Sequence, residues 1–257
     1  MWPMGLMRNA LKKQYARTMR DAYAFARAQA TLHPVAQILD CGSGSGHERM
    51  ATFGSYATDD DQFRYSGLEW NRDDVKRGNA AGLHIREADL NKALPIESES
   101  QDCVIAYSVV EHLLMPCSFI GECHRVLKPG GKLIILTPNI STYFTAAQIL
   151  LGRMPSSGPH PDSNRLIQFD QPPQVSDVMR DDLTLDTPQH RHLVVFSFRA
   201  LKKFLQMTGF CVERARGFGY YPLPIWAQSF FERVDANHCH QMVFACRKVI
   251  PKFNGRA

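Results

Sequence analysis

The feature that most restricts what this chain can fold into is the run Ile38-Leu39-Asp40-Cys41-Gly42-Ser43-Gly44-Ser45-Gly46, where a short apolar segment closes directly on alternating glycines. Val35 to Asp40 reads as a buried strand, and glycine lets the backbone beyond it turn tightly and come close to a ligand. A helix is expected from His47. The C-terminal ends of parallel strands are where open α/β sheets hold nucleotides. A glycine loop alone is equally a plain tight turn, so its meaning depends on the segments downstream.

Those segments alternate. The spacing predicts strands over Phe63–Leu68, His84–Ala88, Asp102–Tyr107 and Lys132–Thr137, and helices over Arg72–Ala80 and Pro116–Leu127. Pro opens the second helix and Lys128-Pro129-Gly130-Gly131 stops it. Strands separated by helices argue for α/β architecture, a parallel sheet with helices on both faces. Upstream, residues 6 to 30 read as a helix with partial amphipathicity from Leu11, Tyr15, Tyr23 and Phe25, ended by His33-Pro34. Downstream, Ser141 can cap a helix to Leu151. Seven of the 15 prolines then fall between 138 and 188, and residues 153 to 189 hold six Asp against three Arg. Such a stretch inside a compact domain reads as a lid or insertion. A helix over Phe198–Thr208 and strands near Phe210–Ala215 and Met242–Arg247 complete the chain. The expected organisation is an N-terminal helical cover (1–34), a cofactor-binding α/β core (35–140), a lid (141–195) and a C-terminal helix with final strands (196–257).

The net charge of +5 is concentrated rather than spread. Residues 1 to 35 carry Arg8, Lys12, Lys13, Arg17, Arg20 and Arg27 against Asp21 alone, which accounts for the whole excess. A neutral body without a basic stripe disfavours nucleic acid and favours a small-molecule partner. The seven cysteines form no CxxC pair and read as reduced, structural thiols of a cytoplasmic protein. Met1 to Met7 precede the basic residues, the reverse of a secretory signal, and no apolar run is long enough to span a bilayer. The basic helix and the aromatic stretch from Phe218 to Phe231 permit a peripheral membrane contact that nothing else in the sequence supports; packing against the lid, or a wall for an apolar substrate, accounts for the aromatics equally well.

Two acids give the glycine loop its context. Glu69 ends the next strand, 23 residues after Gly46, where a carboxylate can accept hydrogen bonds from ribose hydroxyls. Asp89 ends the strand after that, and either acid is alternatively a cap or turn former. Together with the loop they outline an adenosine pocket. In these residues the chain resembles the class I S-adenosylmethionine-dependent methyltransferases of the small-molecule, type 11/23-like group. The matching segments are Ile38 to Gly46, Glu69, Ala88-Asp89-Leu90, Asp102 to His112, and Arg125 to Gly131 before a strand ending Thr137-Pro138-Asn139. The resemblance implies a Rossmann-like, seven-stranded, mostly parallel sheet with an antiparallel final hairpin. It implies S-adenosylmethionine as cofactor, with Glu69 on the ribose hydroxyls, Asp89 near the adenine amine, the glycine loop beside the methionine moiety, and Ser108 lining the site. Asp40, Cys41, Gly42, Ser43, Gly44, Gly46, Trp70, Leu90 and Val109 complete the expected cofactor contacts. A dehydrogenase fingerprint needs GxGxxG, but here His47 stands at the third glycine; a P-loop lacks its Gly-Lys-Ser/Thr.

Methyl transfer is an in-line displacement at a sulfonium carbon, so the protein must align the acceptor and, for a hydroxyl or amine, help remove its proton. His192, with His112 and His190, is the expected helper; the alternative is that these histidines only bridge lid and sheet. A hydroxyl oxygen is the expected acceptor, with an amine or carbon acceptor, or a catalytically silent cofactor-binding protein, as alternatives. Glu111-His112 also resembles the metal-binding acid and histidine of the ubiquinone-type O-methyltransferases. Those enzymes carry a further acid about a turn earlier, where this chain has Ser108, so no metal is expected. His238-Cys239-His240 is read as a solvent-facing strand start rather than a ligand set.

Overall fold

A computed structural model of the chain describes residues 4–30, 36–48, 63–163, 191–220 and 223–249. Its elements in chain order are helix α1 (Met4–Ala30), strand β1 (Ala36–Cys41), β2 (Phe63–Glu69), α2 (Arg72–Ala80), β3 (His84–Glu87), β4 (Gln101–Tyr107), a 3-10 turn (Val110–His112), α3 (Pro116–Val126), β5 (Leu127–Pro138), α4 (Tyr143–Leu150), α5 (Phe198–Met207), β6 (Phe210–Phe218), α6 (Ile225–Val234) and β7 (Gln241–Lys248). The strands form one seven-stranded sheet in the order β3-β2-β1-β4-β5-β7-β6. The first five run parallel, and β7 pairs antiparallel with both β5 and β6. The order reverses between β1 and β4, and that switch point opens a crevice beyond the strands' C-terminal ends.

Alternation along the strands supplies two cores. Leu39, Val104, Ala106, Leu133, Ile135 and Phe244 pack on one face with Phe119, Ile120 and Cys123 of α3 and Leu201 and Leu205 of α5. Ile38, Cys103, Ile105, Ile134, Leu136 and Val243 pack on the other, beneath α1. There α1 presents Ala22, Ala26 and Ala30, a stripe of small residues four apart that brings its backbone close to the sheet. The face of α1 on which the sequence permitted a membrane contact is thus partly spent on packing, and no helix among the described residues is long and apolar enough to cross a membrane.

Some boundaries differ from expectation. Strand β5 begins at Leu127 and runs through Gly130-Gly131 rather than starting at Lys132, with an irregular register between Gln101 and Cys103 of β4 that absorbs the glycines. Helix α4 is capped by Thr142 rather than Ser141: the Thr142 side chain accepts from the Thr145 N–H, while the Ser141 hydroxyl faces Asn139 Oδ1 and the Asn237 carbonyl. Cys239 and His240 are not a solvent-facing strand start. Cys239 is buried and His240 half-buried just before β7, and desolvation pushes the His240 imidazole down to about 4. His238 instead pairs with Asp235 at 2.9 Å and stacks on Tyr143. Only residues 47–48 of the helix expected after the glycine loop lie within the described residues.

Candidate functional site

A cleft of about 900 Å³ lies over the C-terminal ends of β1, β2, β3 and β4. Its lining includes Gly42, Glu69, Trp70, Asp89, Leu90, Ser108, Val109 and His112, eight of the residues singled out in the sequence. Asp40, Cys41, Ser43, Gly44, Gly46 and His192 are not part of that lining. The Asp40 carboxylate is buried under the loop and accepts the Tyr65 hydroxyl at 2.5 Å. Burial pushes it up to about 7. Cys41 and Ser43 are buried, and Gly44 and Gly46 shape the loop. His190 lies outside the described residues.

The loop is built on positive φ. Gly42, Gly44 and Gly46 sit at +75°, +53° and +89°, a region that L side chains rarely occupy. Space closes two of the three as well: an added Cβ on Gly42 would lie 2.5 Å from Val109, and one on Gly46 2.0 Å from Leu83. The backbone donors of Gly42 and Ser43 reach the Leu68 carbonyl and tie the loop to β2. Glu69 completes the tie. Its Oε2 accepts from the Gly44 N–H at 2.8 Å, and its Oε1 accepts from the Trp70 and Asn71 N–H groups at 2.9 Å each. A carboxylate held at three points is preorganised, and the lightly loaded Oε2 keeps capacity for a hydroxyl donor.

Across the cleft, Asp89 accepts from the Asn91 backbone and side chain, and these contacts hold it below the usual carboxylate range despite partial desolvation. The Asn91 side-chain oxygen in turn accepts from Leu114 and Met115 N–H, which positions the 113–115 wall. Ser108, at the tip of β4, holds φ at +53° although it is not glycine, and its hydroxyl meets the Tyr23 hydroxyl of α1 at 3.2 Å. Arg27 of α1 also grips Glu48 through two bonds of 2.9 and 2.8 Å, so the N-terminal helix buttresses the site from behind.

The histidines gather at one end. His112 Nδ1 faces the Arg191 carbonyl at 2.8 Å, and His192 Nδ1 faces the Ser157 carbonyl at 2.6 Å. Each contact requires Nδ1 to carry the proton and leaves the Nε2 lone pair open. The two rings meet edge to face at 5.2 Å, and His160 stacks on His192 at 5.0 Å. Burial pushes His192 down to about 3 and lowers His112, which favours the neutral imidazole in each. Glu111, wholly buried, accepts the Thr137 hydroxyl at Oε2 over 2.8 Å, and burial raises it to about 7. One ligand atom each from Glu111, His112 and His192 lie within 4.8 Å of one another.

Sequence reasoning missed Asn91, Leu113, Leu114 and Leu193 of the lining, and Tyr23 behind it. Asn91 carried a signal, since Asp-x-Asn after a strand forms an Asx turn. Leu193 carried none, because its place depends on the chain returning from the 164–190 segment to bond the Glu111 carbonyl.

Residues 39–135 match the methyltransferase domain family. A protein of Mycolicibacterium smegmatis named a probable S-adenosylmethionine-dependent methyltransferase is 33% identical over 108 residues, covering 41% of this chain and 39% of that protein. A ubiquinone biosynthesis O-methyltransferase of Maricaulis maris is 27% identical over 158 residues, 56% of this chain and 57% of its own length. The chain thus spans well under two thirds of these curated relatives. An S-adenosylmethionine-dependent methyltransferase structure from Mesorhizobium loti superposes with a TM-score of 0.54 at 16% identity, covering 87% of this chain and 96% of the other; at that identity the likeness concerns the fold.

Proposed function

We propose that this protein, whose residues 39–135 match the methyltransferase domain family, is a class I S-adenosylmethionine-dependent methyltransferase that transfers the methyl group to the hydroxyl oxygen of a small molecule. The observation that carries the reading is Glu69, pinned by three backbone N–H groups at the mouth of the glycine loop with Oε2 open to the cleft. That is the arrangement that binds a ribose in an open α/β sheet. In this reading Asp89 takes the adenine amine, the loop from Asp40 to Gly46 bears on the methionine moiety, and Trp70, Leu90, Ser108 and Val109 close around the nucleoside.

The acceptor enters where His112 and Leu193 line the cleft; of the lid expected over residues 141–195, residues 164–190 lie outside the described residues. We assign histidine assistance in positioning the acceptor hydroxyl to His112 at the wall and His192 behind it, with His190 the third candidate. Because desolvation holds the half-buried His192 ring well below the usual imidazole range, positioning carries more of this role than bulk basicity does. Among the described residues the cleft lining sets Lys92 against Glu69, Glu87 and Asp89, which fits a small acceptor rather than nucleic acid. All seven cysteines are free thiols, as suits a reducing, cytoplasmic setting.

The test is incubation with S-adenosylmethionine and a panel of hydroxylated and amine metabolites, with S-adenosylhomocysteine measured by mass spectrometry. Release with a hydroxylated acceptor is expected. Release only with amines corrects the acceptor atom, binding of the cofactor without release with any acceptor supports a silent binder, and no cofactor binding refutes the reading.

A further inference from the structure

We infer that Glu111, His112 and His192 form a binding site for one divalent first-row cation with affinity for imidazole, such as Zn²⁺ or Co²⁺, at the acceptor end of the cleft. The inference rests on the proposed methyltransferase activity only in taking that end as the acceptor's. Sequence spacing offers no third partner for Glu111 and His112, because Ser108 stands a turn earlier. The fold brings one from the far side of the 164–190 segment.

Three observations support it. The donor atoms converge: one from each residue lies within 4.8 Å of the others, and His112 Nε2 is 4.0 Å from Glu111 Oε1. A tetrahedral Zn²⁺ with bonds of about 2.0–2.1 Å sets its ligands roughly 3.3 Å apart, so the cluster closes on an ion by side-chain adjustment. Each candidate ligand is also braced on its far side. Both histidines direct Nδ1 at backbone carbonyls, of Arg191 and Ser157, and Glu111 accepts the Thr137 hydroxyl. Metal-binding histidines almost always donate their other ring N–H to a carbonyl or carboxylate, which fixes tautomer and aim. Finally, the backbone of the returning segment is anchored to the same place, with Leu193 N–H on the Glu111 carbonyl at 2.6 Å and His160 N–H on the His192 carbonyl at 2.8 Å.

His160 shows why the set has three members. Its Nδ1 accepts from the His192 N–H at 3.2 Å, and its Nε2 faces the Ser156 carbonyl at 3.1 Å, so both ring nitrogens are spoken for. Two imidazoles and one carboxylate suit Zn²⁺, Co²⁺ or Fe²⁺ better than Mg²⁺ or Ca²⁺. Three protein ligands also leave a position open, on the side where His112 lines the cleft, for water or an acceptor oxygen. A bare latch between lid and sheet would need the hydrogen bonds but not the convergence of one ligand atom from each of three residues.

The experiment strips the full chain with a chelator, titrates it with Co²⁺ and reads the visible d–d absorption of the low-coordinate ion. Mass spectrometry counts metal per chain, and calorimetry follows S-adenosylmethionine on the same samples. One Co²⁺ per chain, displaced by Zn²⁺, is expected. His192→Asn and His112→Asn should each weaken it about a hundredfold or more, and His160→Asn should not. Absence of stoichiometric Co²⁺, or wild-type affinity in both the His192 and His112 variants, overturns the site. If His192→Asn fails to fold, His112→Asn decides alone. Cofactor binding without Co²⁺ binding overturns the cation site only; Co²⁺ binding without cofactor binding overturns the methyltransferase reading and leaves the cation site standing.

Discussion

Asp40→Asn should remove a pH-dependent penalty from the folded protein. Asp40 is 2% exposed, and its only described side-chain partner is the Tyr65 hydroxyl. Desolvation, with Glu48 and Glu69 nearby, raises its carboxyl from 3.8 to about 7, against the opposing pull of Tyr65. The folded state therefore binds the proton more tightly than the unfolded chain, and folding is least penalised below pH 4. Stability falls as pH rises from about 4 to about 7 and is level above that. Three pKa units correspond to about 4 kcal/mol in all, of which about 3 is lost between pH 5 and pH 8. The asparagine oxygen can still accept from Tyr65, while its new N–H₂ group costs about 1 kcal/mol at every pH if it finds no partner. Urea unfolding of both proteins at several pH values between 5 and 8 should show the variant gaining on the wild type by about 3 kcal/mol across that range. Parallel curves would mean that Asp40 is ionised and solvated in the native state, and the burial argument would fail.

Glu69→Ala should weaken S-adenosylmethionine binding by about 2 to 4 kcal/mol, on the order of 30- to 1000-fold, because it loses charge-assisted bonds and releases the Gly44 N–H; calorimetry showing unchanged affinity would sink the cofactor assignment. Gly46→Ala combines a positive φ of +89° with a 2.0 Å approach to Leu83. It should destabilise the fold by about 2 to 4 kcal/mol, seen as a lowered melting temperature. Tyr23→Phe removes the hydroxyl shared with Ser108 and should cost about 1 kcal/mol in denaturant unfolding while leaving the secondary structure unchanged by circular dichroism.

Much of this protein is dictated by local rules. The period-two apolar pattern at Ile38-Leu39 and Ile134-Ile135 divides onto the two faces of the sheet, and the glycines at 42, 44 and 46 take positive φ as a tight loop demands. Glu69 and Asp89 reach one cleft because each ends a parallel strand, and parallel strands end at one edge. Side-chain direction and long-range return lie beyond such rules. Asp40 precedes the loop as a ligand residue would, yet the pleat turns its carboxylate to Tyr65 beneath it. Ser108 and Tyr23 meet only because α1 lies across the sheet, and Glu111, His112 and His192 converge only because the chain comes back from the 164–190 segment onto the Glu111 carbonyl. The physical division is one of range: backbone sterics and hydrophobic period act over a few residues and are written in the sequence, whereas the convergence of lone pairs from distant segments exists only once tertiary packing has brought those segments together.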